Sequence, residues 1–96
     1  MGMCLSRAEV RTAHAVSYLR QLCRHWEHKF PVEFDDSHGK IHLPKGIVQL
    51  MSGPTALSVY VEVPAAADQD RMEEVVEEHL QRFGFKETLE FRWLRS

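Results

Sequence analysis

Long apolar runs, cysteine clusters, glycine-rich loops and a charge surplus of either sign are all missing from this chain. No segment approaches the roughly 20 apolar residues of a membrane-crossing helix, so no membrane partner is expected. Cysteine occurs only at Cys4 and Cys23. That leaves no C-x-x-C redox or zinc pattern, and H-E-x-x-H is absent as well. The five glycines are scattered singly and none opens a helix after a parallel strand, which removes phosphate loops. A formal net charge of -2, with no basic stripe, argues against nucleic acid as a partner. The opening MGMCLSRAEV has no sustained apolar stretch of the leader type, and Ser6 completes only a minimal myristoylation pattern. The expectation is a cytoplasmic protein with reduced thiols. A chain of 96 residues is expected to form one domain, 1–96, with a modest core. It has little room for an enclosed pocket unless a second copy completes one.

What is present is regular patterning. From Leu5 to Thr12, Ser6, Ala8 and Val10 alternate with Arg7, Glu9 and Arg11, the period of a half-buried strand. Thr12 can cap the following helix, which the pattern extends from His14 to Phe30 with Pro31 as its stop. Ala15, Val16, Leu19, Leu22, Cys23, Trp26 and Phe30 form one apolar stripe about 120° wide. Short strands follow: Val32 to Asp35, Lys40 to Leu43, Ile47 to Met51 and Thr55 to Val63. The turns between them are Asp36-Ser37-His38-Gly39, Pro44-Lys45-Gly46 and Ser52-Gly53-Pro54, with Gly39 expected at positive φ. A second helix is expected from an N-cap at Asp68 to about Phe83, closed by Gly84. Met72, Val75, Val76, Leu80 and Phe83 should face inward, and Glu73, Glu74, Glu77 and Glu78 outward. A last strand alternates Leu89, Phe91 and Trp93 with Glu90 and Arg92. The order β-α-β-β-β-β-α-β, with short connections, predicts an α+β fold: two helices on one face of a mainly antiparallel sheet. Leu5, Tyr60 and Leu94, with Val48 or its neighbours, would then lie on the uncovered face as a patch that a homodimer could bury.

The chemistry-bearing residues crowd into the first helix, and helical geometry separates them. Cys23 and His25 point about 160° apart and cannot share an ion, so Cys23 reads as a small buried hydrophobe. His14 lies about 16 Å up the axis. His25 and His28 are i,i+3 neighbours on the polar side, with Lys29 adjacent, and could contact a ligand; as metal donors they lack a third partner. His38 or His42 could join them only through folding. His79 points between Val75 and Val76, into the apolar sector of the second helix, either as a wet-end core residue or as a pocket residue titrating near neutrality. Glu33, Asp35 and Asp36 read as solvation and capping, and Ser37-His38 without a nucleophile elbow suggests no triad. The ligand-contact set is therefore His25, His28, Lys29 and His79, with no catalytic residue and no cofactor named.

Four segments carry a resemblance: the opening S-R-A-x-V, L-C-x-H-x-x-H-K at Leu22 to Lys29, the hairpin around Phe34 to Ile41, and E-x-H-L-x-R-F at Glu77 to Phe83. On these the chain resembles the DUF2218 family, bacterial domains of unknown function, along nearly its whole length. The resemblance implies no activity. It implies a context, because some members are associated with siderophore-interacting, ferric-siderophore reductase-like proteins. The expectation is thus a non-enzymatic accessory or small-ligand-binding domain, homodimeric, in iron or siderophore metabolism. The alternatives are a structural or protein-interaction module and a small enzyme using a histidine acid or base in a cleft.

Overall fold

The computed structural model describes residues 2–83 and 87–96. Strand β1 is Cys4–Arg11, helix α1 Ala15–Trp26, and strands β2 to β5 are Val32–Phe34, His38–Leu43, Gly46–Ser52 and Ala56–Val63. A short 3-10 turn, Ala66–Asp68, leads into helix α2, Gln69–Phe83, and the chain ends in strand β6, Leu94–Arg95. The six strands form one sheet in the order β2-β3-β4-β5-β1-β6, antiparallel at every pairing. The fold is α+β, with both helices packed on one face of the sheet.

Period-two patterning decides that face. Leu57, Val59, Val61 and Val63 of β5 pair laterally with Val10, Ala8, Ser6 and Cys4 of β1, and the first three pair with Ser52, Leu50 and Val48 of β4 on the other side. All four β5 side chains are buried, as are Val48, Leu50 and Ile41. From above, Leu19, Leu22 and Cys23 of α1 and Met72, Val76 and Leu80 of α2 close the core. A helix stripe on a sheet face is the arrangement that buries both amphipathic surfaces at once.

Several expectations are corrected. Helix α1 ends at Trp26, not Phe30: the N–H groups of Lys29 and Phe30 both donate to Trp26 O, at 3.0 and 2.9 Å, and tighten the chain into turns ahead of Pro31. The residue before a proline is steered out of the helical region, which helps bring Phe30 out of register. The longer helix is α2. Val16 is exposed, whereas Tyr18 is buried. The N-cap position of α1 is His14 rather than Thr12, although Thr12 Oγ1 accepts from the His14 N–H at 3.0 Å. Gly39 does not take positive φ; it lies within β3, where α1 presses closest. Asp68 sits in the 3-10 turn and faces Lys45 at 3.5 Å. Glu73 is buried, because Ser6 and Arg95 supply polar partners for it inside the fold. The expected last strand, Leu89 to Trp93, is not a strand; the strand follows it as Leu94–Arg95, which pairs with β1. Val48 faces inward, so its neighbours Ile47 and Gln49 occupy the outer face. Gly84 lies outside the described residues.

Candidate functional site in the cleft between the helices

Helix α1 brings Arg24, His25 and Trp26 into its last turn, where cations complement the negative end of the helix dipole. Helix α2 runs past it, and the residues it offers, Met72, Val75, His79 and Phe83, recur at the three-to-four spacing of one helical stripe. Trp26, 6% exposed, is where the two meet. Its ring centroid lies 4.8 Å from that of His79 and 6.1 Å from that of His25, and the two imidazoles are 5.0 Å apart. Phe83 stands edge-on to His25 at 6.1 Å.

The hydrogen bond of His79 defines its tautomer. Its Nδ1 lies 2.7 Å from Val75 O, and a carbonyl can only accept, so Nδ1 carries the proton. In the neutral ring Nε2 is left as an acceptor, and in the protonated ring as a second donor. His25 is held below the ordinary imidazole range, first by partial desolvation and then by His79, Arg82, Lys29 and His28. Every group in that electrostatic set is cationic or can become so. His25 is exposed at the end of α1, as are His28 and Lys29 in the turn that follows.

Beside this pair opens a cleft of about 380 Å³ walled by Trp26, Phe30, Leu43, Pro44, Met72 and Val75. Its rim carries Lys45, Asp68 and Arg71. The rim charges are already paired, Lys45 with Asp68 and Arg71 with Glu74. Trp26 and Val75 belong both to the cleft and to the histidine pair: one lines the cleft while stacking near His79, the other lines it while accepting from His79.

The remaining candidates disperse. Cys23 is fully buried, its thiol pushed up to about 11 by burial and then by Glu27, which makes it a poor nucleophile or ligand. His38 reaches Gln49 at 3.1 Å on the outer sheet face, and His42 is in the same strand four residues on. Asp35 accepts from the N–H groups of Ser37 and His38 and from the Ser37 hydroxyl; these bonds, the Ser37 N–H first, hold its carboxyl below the usual range. That is turn capping, as expected. Among the described residues no group of three or more His, Cys, Asp or Glu side chains could hold a metal ion, and no helix is long and apolar enough to cross a membrane. Of the expected contact residues, the fold brings His25 and His79 together and leaves His28 and Lys29 at the margin. Sequence reasoning missed Arg82 and the wall residues Leu43 and Met72 as site components. The α2 spacing was a usable signal for Met72; nothing local marked Leu43.

The family model of an uncharacterized protein conserved in bacteria (DUF2218) matches residues 7–94. The chain belongs to the DUF2218 family. The protein is also similar to PA4090 from Pseudomonas aeruginosa, whose NMR structure is 35% identical over 96% of each chain with a TM-score of 0.81. No curated protein matches. DUF2218 is a domain of unknown biochemical function, so membership fixes the fold and leaves the activity to be argued from the site.

Proposed function

We propose that this DUF2218 domain is a non-enzymatic, cytoplasmic small-ligand-binding domain whose ligand lies in the cleft beside Trp26. One observation carries the reading: a single tryptophan joins an apolar cleft of about 380 Å³ to a pair of imidazoles 5.0 Å apart. Apolar walls with a few convergent polar groups are the usual make-up of a small-molecule site, and the volume falls at the lower end of the range of about 300–1,000 Å³. His79 supplies the inner polar contact, and His25, His28 and Lys29 the outer ones. An enzyme would need a histidine beside a carboxylate within hydrogen-bond reach. The groups acting on His25 are cationic, which favours binding over acid–base chemistry.

The test is a fragment screen followed by NMR. Hits should shift the Trp26 indole and His79 ring signals, and His25→Gln with His28→Gln should weaken them without changing the far-UV circular dichroism. Unchanged binding in that folded double variant sinks the reading. A place in iron or siderophore metabolism, as accessory to a siderophore-interacting reductase-like protein, rests on the family resemblance alone; titration with ferric and metal-free siderophores tests it, and no response to either ends it.

A second proposal, homodimer formation, is supported by a separate observation: Leu5, Met51, Tyr60 and Leu94 are all exposed large apolar side chains, on the sheet face that no helix covers.

A further inference from the structure

The cleft itself is apolar, and the histidine pair borders it across Trp26 and Val75. Its walls are hydrocarbon and aromatic, and the charges at its rim are internally matched, Lys45 with Asp68 at 3.5 Å and Arg71 with Glu74 and Glu78. The histidine side differs. Arg82 comes from the last turn of α2, Lys29 and His28 come from the turn after α1, and His79 faces His25 directly. The nearby carboxylates are otherwise engaged: Glu78, next to His79, reaches Arg71 at 3.9 Å, and Glu77 accepts from the Trp93 indole at 2.7 Å. Glu27 follows Trp26 on the side of Cys23. The negative ends of α1 and α2 oppose an anion here, at about half an elementary charge each. Arg82 and Lys29 alone, at one full charge each, exceed them.

We infer that the ligand of this cleft is an amphipathic anion, a short apolar chain lying against Trp26, Leu43, Met72 and Val75 with a carboxylate or phosphate head at His25 and His79. This rests on the ligand-binding reading given above and names the chemical class. The head gains charge-assisted hydrogen bonds, which are roughly twice as strong as neutral ones. The chain gains the burial of each methylene, worth about fourfold in affinity. Protonation of His25, which is held below the ordinary imidazole range, adds a donor and charge where the head lies, so affinity rises as pH falls past that range. The bland reading, in which these are last-turn cations serving the helix dipoles, predicts no preference between an anion and an alcohol of equal length.

Calorimetric titration of the whole protein with monomeric octanoate, hexanoate, octyl phosphate and octanol separates these cases. Octanoate and octyl phosphate should bind about tenfold or more tightly than octanol, and hexanoate about sixteenfold more weakly than octanoate. As pH falls from 7 to 5.5 octanoate should tighten while octanol stays level. Arg82→Gln and His25→Gln should lower octanoate affinity and leave octanol unchanged. Equal binding of octanol and octanoate overturns the anionic head and leaves the cleft standing as an apolar site. Binding of none of the four overturns the cleft reading as well. Sedimentation with phosphatidylglycerol vesicles but no binding of free octanoate would place the chemistry on a lipid surface and overturn the soluble ligand.

Discussion

Two glycines show how closely α1 and the strands press on this sheet. A Cβ at Gly39 would stand 2.7 Å from Cys23 Sγ, and one at Gly46 would stand 2.5 Å from Glu62 O. A thiol can swing aside by one torsion, whereas a strand carbonyl is fixed by its ladder. Gly39→Ala should therefore cost about 1 kcal/mol and Gly46→Ala about 2–3 kcal/mol, the range of overpacking. Urea denaturation measures both, and adding Cys23→Ala should recover part of the first loss only, a coupling that a double-mutant cycle reads directly. His25 gives a second test at this scale. Its folded-state pKa lies below the ordinary imidazole value, so in that range the unfolded chain binds more protons than the native one. Stability is complete above the ordinary imidazole range and falls as pH drops through it towards the depressed value. His25→Gln should show a smaller loss between pH 7.5 and pH 5.5 than the parent; an identical loss would remove His25 as its source.

The elements divide according to whether their partners are near in sequence. Strand β5 was legible because Leu57, Val59, Val61 and Val63 alternate within one stretch, and the apolar stripe of α1 was legible for the same reason. The end of α1 was not, since it depends on how the chain tightens before Pro31. The role of Glu73 was hidden more deeply. On a helical wheel it belongs with the solvated glutamates, yet Ser6, 67 residues away, donates to it from β1, and Arg95 donates to it from β6 at 2.9 and 3.0 Å. Gln69 completes the set by donating to Ser6 Oγ at 2.8 Å. Tyr18 is similar: it and Thr12 both donate to Glu87, and burial, with that bond, pushes the phenol up to about 12. Likewise His79 could be placed in the apolar sector from its position, but its meeting with His25 required the crossing of two helices. The Ser6 network gives the prediction at this scale. Ser6→Ala removes both a donor to a buried carboxylate and the acceptor of Gln69, and should cost about 1–3 kcal/mol in chemical denaturation. A loss below about 0.5 kcal/mol would mean that Arg95 alone satisfies Glu73.

At the scale of the molecule the helices cover one face of the sheet and leave the other open. Register aligns that outer face in rows: Lys40, Gln49, Tyr60, Arg7 and Leu94 run across five strands, flanked by His42, Ile47, Glu62 and Leu5 on one side and His38, Met51, Ser58 and Glu9 on the other. Leu5, Ile47, Met51 and Tyr60 stand among Arg7, Gln49 and Glu62 around a shallow depression of about 460 Å³, and the charges of the face, Arg7 and Lys40 against Glu9 and Glu62, are of both signs. A balanced face of this kind does not repel a second copy as a single-sign surface would. A stable interface takes about 800 Å² from each partner, which in a molecule 38 by 28 Å across would need most of one broad face. The protein should accordingly run in light scattering at twice its 11.2 kDa, and Leu5→Lys with Tyr60→Lys should return it to the monomer mass. Because the cleft beside Trp26 lies on the helix side of the sheet, that monomeric variant should bind octanoate as tightly as the parent. A parent that already measures as a monomer rules out the dimer. Loss of octanoate binding in a folded monomer would instead tie the cleft to the partner copy and end the independence of the two faces.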